Sequence, residues 1–293
     1  MTWEVMGRPA PLRYRFATMS TSLHPTPAAA AAKPVGDLIR EWRQHRRLSQ
    51  LDLAMQADIS TRHLSYVETG RAAPSRAMVM HLAERLSVPL RERNVLLAAA
   101  GFAPLYRERP LADPALDAAR AVVEQVLKAH EPWPALAVDR HWTLLASNAT
   151  VPLFLQDVDA ALLQGPVNVL RLSLHPGGVA PRIANLVSWR AHIFHRLEQQ
   201  IEATSDPVLS ALLQELRDYP APEADDADAG GAALEPNAIA VPLKLRTPAG
   251  VLSFISTTTV FGTPVDITLS ELALETFFPA DRVTAETLRG MTT

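Results

Sequence analysis

Apolar residues first settle into a helical period at Val35, Leu38, Ile39 and Trp42, spaced i, i+3, i+4 and i+7. That spacing predicts an amphipathic helix with one stripe turned to a core. Arg40, Arg43, Arg46 and Arg47 surround the stripe. A short helix is predicted next, Gln50 to Ala57, with Ser49 as its N-cap and Ala54 and Ala57 forming a small face toward a neighbour. Asp58-Ile59-Ser60 reads as a tight turn: Asp58 tolerates a positive φ, Ile59 plugs a core, and Ser60 caps the following helix. That helix, Thr61 to Thr69, buries Leu64 and Val67, turns Thr61, Arg62, His63 and Tyr66 outward, and stops at Gly70. Pro74-Ser75 opens a fourth helix with Val79, Leu82, Ala83 and Leu86 as its stripe. A fifth runs from Pro89 to Ala100, and Gly101 ends it.

The pattern changes after a Pro-rich, charged stretch, residues 104–113, which reads as a linker. A helix is predicted from Pro114 to His130, then strands Trp133–Val138 and Trp142–Ser147 around the turn Asp139-Arg140-His141. Asn148 is expected to cap a helix, and 162–175 is apolar without a clear period. Arg182–Thr204 and Leu209–Asp218 read as helices, and Pro220–Glu235 as an acidic mobile loop. Strands are predicted at Ala238–Arg246, Val251–Phe261 and Glu271–Phe278, the first two joined by the turn Pro248-Ala249-Gly250. Asp281–Leu288 reads as a closing helix.

Two features of composition alter this picture. Residues 34–110 carry 12 Arg and no Lys against 8 Asp and Glu, whereas residues 111–293 carry 12 Arg and Lys against 22 Asp and Glu. A basic module joined to an acidic one suits a DNA-binding head on a body that does not bind DNA. The chain holds no cysteine, which excludes disulfides, thiolate metal sites and thiol nucleophiles. No apolar run approaches the ~20 residues that span a bilayer, so a cytoplasmic protein without membrane contact is expected. Residues 1–33 follow no amphipathic period and are expected to form a disordered extension, with Met19 as an alternative start of translation.

Two short helices, a turn of a few residues and a polar outer face on the second make a helix-turn-helix. The stretch 48–74, LSQLDLAMQADISTRHLSYVETGRAAP, resembles the Xre class of phage-repressor-type regulators, departing from it at Asp58, where the class usually carries glycine. The resemblance implies a five-helix lambda-repressor-like domain over 34–103, and a structural ion pair between Arg43 and Glu68. Further on, NVLRLSLHPGG (168–178), NLVSWRAHIFHRL (185–197), ELRDYP (215–220) and VPLKLRTPAGVLSFISTTTVFGTPVDITLSELALETFFPAD (241–281) look like the C-terminal domain of MmyB-like transcription regulators. That resemblance implies a PAS-like antiparallel-sheet domain with helices over 114–290, so the whole is a mainly α head on an α+β body. It also implies small apolar, fatty-acid-like ligands.

The DNA face is expected on the second helix of the motif. Arg62 is placed to pair bidentately with a guanine, Thr61 and Tyr66 to touch a thymine methyl or phosphates, and His63 to lie beside them. Gln50 and Ser60 sit at helix starts, where main-chain N–H groups attract phosphate, and Arg71 is a further phosphate contact. In the body, Asn185, Trp189, His192 and Arg196 fall on one helical face, with Arg196 or His192 expected to hold a carboxylate and Trp189, Phe254 and Phe261 to line an apolar part.

Enzyme chemistry finds no support. His192 and His195 share no carboxylate at metal-binding spacing, His175-Pro176-Gly177-Gly178 lacks the strand and helix of a phosphate loop, and Ser253 and Ser256 lie within a strand without a nucleophile elbow. Thr257, Thr258 and Thr259 suit a pleated surface. Neither cofactor nor metal is expected. The reading is a dimeric, ligand-responsive regulator on a palindromic operator in double-stranded DNA. The alternative is a DNA-binding protein whose second domain is a protein-interaction module without a small molecule.

Overall fold

The computed structural model describes residues 33–220 and 240–292. The N-terminal extension up to residue 32, Met19 within it, the acidic loop beyond Pro220 and the first residues of the strand expected at Ala238 lie outside the described residues.

The head is five helices: α1 (Val35–His45), α2 (Gln50–Gln56), α3 (Thr61–Glu68), α4 (Arg76–Arg85) and α5 (Leu90–Ala99). Serines start three of them. The hydroxyls of Ser49, Ser60 and Ser75 accept from the N–H groups of Asp52, His63 and Met78, satisfying donors that a helix start leaves free. Asp52 completes a capping box by accepting from the Ser49 N–H at 2.9 Å. Asp58 takes a φ of 50° in the turn and Gly70 a φ of 72° after α3. The predicted stripes converge on one core, in which Ile39, Leu53, Leu64, Val79, Leu82 and Leu97 are fully buried. Each such side chain contributes about 1.5–3 kcal/mol relative to an exposed one.

Under that core Arg43 meets Glu68 in a two-pronged ion pair, Nε to Oε1 at 2.7 Å and Nη2 to Oε2 at 2.9 Å. Gln50 donates to the same carboxylate at 2.8 Å, and Arg43 also reaches the Leu48 carbonyl. These bonds tie α1, α2 and α3 together around a carboxylate that has no exposed surface.

The body opens with α6 (Asp117–Ala129), β1 (Ala135–Val138), β2 (Leu144–Ser147) and α7 (Val169–Leu174). It continues with α8 (Leu186–Thr204), α9 (Pro207–Asp218), β3 (Leu243–Thr247), β4 (Gly250–Val260), α10 (Ile267–Ser270), β5 (Ala273–Pro279) and α11 (Arg282–Thr292). The strands form one antiparallel sheet in the order β2-β1-β5-β4-β3, a PAS-like arrangement. One face packs against α7, α8 and α9 through Val138, Leu170, Ile193, Leu197, Leu212, Leu245 and Phe254. Ala135 and Ala137, on the opposite parity of β1, pack with Val123 and Leu127 of α6.

Several local expectations shift for identifiable reasons. β2 begins at Leu144 rather than Trp142, because Trp142 sits in the preceding turn at a φ of 67°. α8 begins at Leu186 rather than Arg182, since Ile183 bridges Leu245 and the Ala184 N–H donates to the Lys244 carbonyl at 2.7 Å. Asn148 caps no α-helix. Its side chain accepts from Ala135 N–H and donates to the carbonyls of Trp133 and Leu127, joining β1, β2 and α6. Within the apolar stretch 162–175 lies α7, capped by the Asn168 side chain. The segment expected to be strand from Glu271 enters the sheet at Ala273.

Head and body are joined by more than the chain between them. The Asn94 side chain accepts from the N–H groups of Leu105 and Tyr106 and donates to the Tyr106 carbonyl, so the linker lies pinned on α5. Arg91 forms two-pronged pairs with Glu271 at 2.8 Å and with Glu108 at 2.7 Å, and Arg109 meets the buried Asp266 at 2.7 Å. At the other end of the contact, Arg46 donates to the carbonyls of Glu202 and Ala203, at 3.0 and 2.9 Å, and the His45 ring reaches the Glu202 carbonyl. The Arg46 charge at the last turn of α8 suits the negative end of its dipole.

Candidate DNA-binding face and ligand cavity

The α3 surface gathers Arg62, Tyr66 and Arg71. Arg62 Nε donates to the Tyr66 hydroxyl at 3.0 Å, a bond that i, i+4 spacing on a helix permits. The guanidinium carbons of Arg62 and Arg71 lie 5.3 and 5.9 Å from the Tyr66 ring centroid. Tyr66 thus holds two exposed cations at one edge of the helix, while Thr61 and His63 lie part-buried at its first turn. Ser60 serves as N-cap of α3, with its hydroxyl turned to His63 N–H. Gln50 opens α2, whose capping box joins Ser49 and Asp52, and its side-chain amide donates to Glu68 at 2.8 Å, so that side chain also ties α2 to α3.

In the body, a cavity of about 150 Å³ lies between the sheet and α7–α8. Leu136, Leu170, Leu245, Phe254 and Phe277 form its apolar wall. Trp189, His192 and Arg196, at i, i+3 and i+7 of α8, supply one side together with Ile193. Trp189 is anchored by donating its indole N–H to the Ser173 hydroxyl at 3.0 Å, and the His192 ring lies 5.3 Å from it. Burial pushes the His192 imidazole below its ordinary pKa, the Arg196 charge adds to this, and Glu275 opposes it. The ring is therefore neutral at pH 7. His195, one helical step on, is exposed and bonds Gln199 instead, so the two histidines do not converge.

Two expected lining residues lie elsewhere. Asn185 is the residue before α8, not part of its face. Its amide donates to the Pro242 carbonyl at 2.8 Å and accepts from Lys244 N–H at 3.0 Å, fastening the helix start to β3. Phe261 follows Val260, the last residue of β4, and packs against the cluster of Val123, Leu127, Leu272 and Leu274 on the α6 side.

Glu275 was not anticipated. It lies beside Leu136 of β1 and Thr258 of β4 in the sheet, with a side chain only 5% exposed. It grips Arg196 by two bonds, Nη1 to Oε2 at 3.0 Å and Nη2 to Oε1 at 2.5 Å, and Thr258 donates to it at 2.8 Å. The Arg196 guanidinium also lies 4.6 Å over the Trp142 ring, whose N–H is held by Gln200 at 2.9 Å. The sequence signal was a lone acid at inward parity in an apolar strand, Ala273-Leu274-Glu275-Thr276-Phe277-Phe278.

Comparison with known families matches residues 34–96 to a helix-turn-helix domain and residues 119–291 to the MmyB-like transcription regulator ligand binding domain. No curated protein matches the chain. No helix among the described residues is long and apolar enough to cross a membrane. The second match covers more than half of the chain and contains α8, the whole sheet and the cavity between them. The chain therefore belongs to the MmyB-like transcription regulators, with a DNA-binding helix-turn-helix head and a ligand-binding body.

Proposed function

We propose that this regulator senses a small, largely apolar molecule in the α8 cavity and converts its presence into a change of operator affinity. The observation that carries the reading is the path of one helix. α8 presents Trp189, His192 and Arg196 to the cavity, and its last carbonyls receive His45 and Arg46 of the head. A ligand that prefers one position of α8 biases the head with it, because a ligand shifts an equilibrium only through its differential affinity for the two states. The protein is cytoplasmic in this reading and acts as a homodimer. One head covers a single half-site, and a two-fold pair of heads reads a palindrome with half-site centres about 10–10.5 bp apart or a multiple of that.

The DNA contacts assigned are Arg62 to a base edge, Thr61, His63 and Tyr66 beside it, and Ser60 and Arg71 toward phosphates. The cavity contacts assigned are Trp189, His192, Arg196 and Phe254. The test begins with operator selection from random duplexes, followed by titration of the selected site with protein stripped of apolar molecules and then reloaded. Trp189→Ala with His192→Ala is expected to remove the response to reloading and to leave ligand-free DNA binding intact. Operator affinity that does not move on stripping or reloading overturns the sensor reading.

A further inference from the structure

Given that the regulator acts as a homodimer, we infer that its two bodies join through the trough between α6 and the bare half of the sheet, each α6 lying against β4 of the other copy. The register defines that half. Leu274, Thr276 and Phe278 of β5 share one parity and stand opposite Thr259, Thr257 and Ile255 of β4. α6 packs on this face over β1 and Leu274, through Val123 and Leu127, and leaves Ile255, Thr257 and Thr259 exposed. Ile255 and Phe278, directly opposed, are 39% and 44% exposed. An antiparallel sheet ordinarily turns polar residues to water on such a face, so an exposed Ile–Phe pair marks a surface for contact.

The helix supplies the matching wall. Ala118, Val122 and Val126, at i, i+4 and i+8 of α6, form an exposed apolar flank beside its buried stripe. The end of the helix shows which way that flank faces. The ring of His130, four residues on from Val126, lies edge-on 4.7 Å from that of Phe278, whereas Glu131 accepts from the Ala149 N–H beyond β2. The flank therefore looks along the sheet toward β4. A second copy fits the trough on several counts. The body carries 12 Arg and Lys against 22 Asp and Glu over residues 111–293, so two bodies repel except where a patch is free of charge, and the trough residues are uncharged. Its far rim holds Lys244 and Arg246, exposed on the same parity of β3, for which the exposed Glu124 of a second α6 provides the opposite charge. α6 has 13 residues and is about 20 Å long. Laid in twice across a two-fold axis, beside a strip of two strands, it covers an area of the order of the ~800 Å² that a standard interface takes from each partner. α6 also follows the linker that Asn94 pins to α5, so pairing here sets the distance between the two heads.

The experiment measures self-association of the full-length protein by sedimentation equilibrium, for wild type, Val122→Glu, Ile255→Glu and, as a control at an exposed apolar site of the head, Met55→Glu. Wild type and Met55→Glu are expected to dimerise with equal strength, and each trough variant at least tenfold more weakly with an unchanged circular dichroism spectrum. The chain has no cysteine, which permits a second measurement that asks nothing of stability. Val122→Cys mixed with Ile255→Cys is expected to yield a linked pair with a short bis-maleimide, and Met55→Cys mixed with Ile255→Cys is not. Wild-type dimerisation in both Glu variants, or no more linked pair than the Met55 control gives, overturns the inference, places the interface elsewhere and leaves the homodimer reading intact. A wild-type chain that stays monomeric even with operator present is a different result: it removes the homodimer reading itself.

Discussion

Arg46 of the head donates to the main-chain carbonyl of Glu202 at 3.0 Å, although the two residues lie 156 positions apart in the chain. The same guanidinium also holds the Ala203, Leu86 and Ser87 carbonyls, so one side chain bridges the end of α8 and the end of α4. Arg47 adds an ion pair to the Glu202 carboxylate at 3.2 Å, but both of those side chains are exposed. Exposed pairs contribute about 0–1 kcal/mol, so at this end of the interface the main-chain contacts of Arg46 outweigh the Arg47 pair.

Arg46→Ala is therefore expected to uncouple the domains. Allosteric coupling between two sites amounts to about 1–3 kcal/mol, and the variant should lose more than half of whatever difference ligand makes to operator affinity. Ligand affinity in the absence of DNA should stay unchanged. Arg47→Ala is the control and should retain the full response. Operator titrations with and without ligand decide this; an Arg46→Ala protein with wild-type coupling redirects attention to the Arg91–Glu271 contact at the other end of the interface.

On the DNA face, Arg62 and Arg71 flank one tyrosine and are assigned different tasks. Arg62→Ala should cost about 1–3 kcal/mol on the best operator and relax base preference at one position. Arg71→Ala should weaken cognate and scrambled duplexes alike and reduce the slope of affinity against salt by about one phosphate contact. Isotherms on both duplexes at several salt concentrations separate the two. Unaltered cognate binding by Arg62→Ala would mean that α3 docks on another edge.

The head was legible because its signals are local. Serine caps, the stripe of Val35, Leu38, Ile39 and Trp42, Asp58 in the turn and Gly70 after α3 act within a few residues of one another. The cavity was legible in part. Helical spacing brought Trp189, His192 and Arg196 to one side, yet the start of α8 depends on Ala184 and Asn185 binding β3, some sixty residues later. Phe261 lies just past the end of β4, where the alternation of a strand no longer applies. The Arg196–Glu275 pair requires the β4–β5 register and the seat of α8 on the sheet together, which no window of sequence contains. The same holds for His45 and Arg46 on the end of α8, which come from the helix-turn-helix side of the chain.

Close packing between α1 and α3 gives a test with a definite sign. A Cβ at Gly36 would stand 2.3 Å from the Val67 carbonyl oxygen and 2.9 Å from that of Glu68. Helix propensity alone favours alanine over glycine by up to about 1 kcal/mol. Here the obstructing atoms are backbone, and overpacking of a filled core costs about 1–3 kcal/mol or more. Gly36→Ala should thus lower the urea midpoint of the head. A rise in that midpoint would show that α1 can move away from α3 without loss.

Glu68 is expected to set the acid limit of the head. Burial opposes its ionisation, but hydrogen bonds from Arg43 and Gln50 and the charges of Arg43 and Arg40 outweigh burial and hold its pKa below the ordinary carboxylate value. A carboxyl with a folded-state pKa below its unfolded one stabilises the fold at pH values above the unfolded pKa, about 4.3–4.5. That stabilisation is lost as pH falls through this range toward the folded-state value. Removing Arg43 at neutral pH is harsher, because it takes the two-pronged partner from a buried carboxylate and leaves it only Gln50 and the more distant Arg40: Arg43→Ala should cost about 3–5 kcal/mol. Glu68→Gln should be destabilised at pH 7 but lose less additional stability than wild type between pH 5 and pH 3. Urea unfolding followed at pH 7, 5, 4 and 3 for both proteins supplies the comparison. Parallel loss in the two proteins below pH 5 would place the acid limit on other carboxylates and leave the Arg43–Glu68 pair with a purely geometric role.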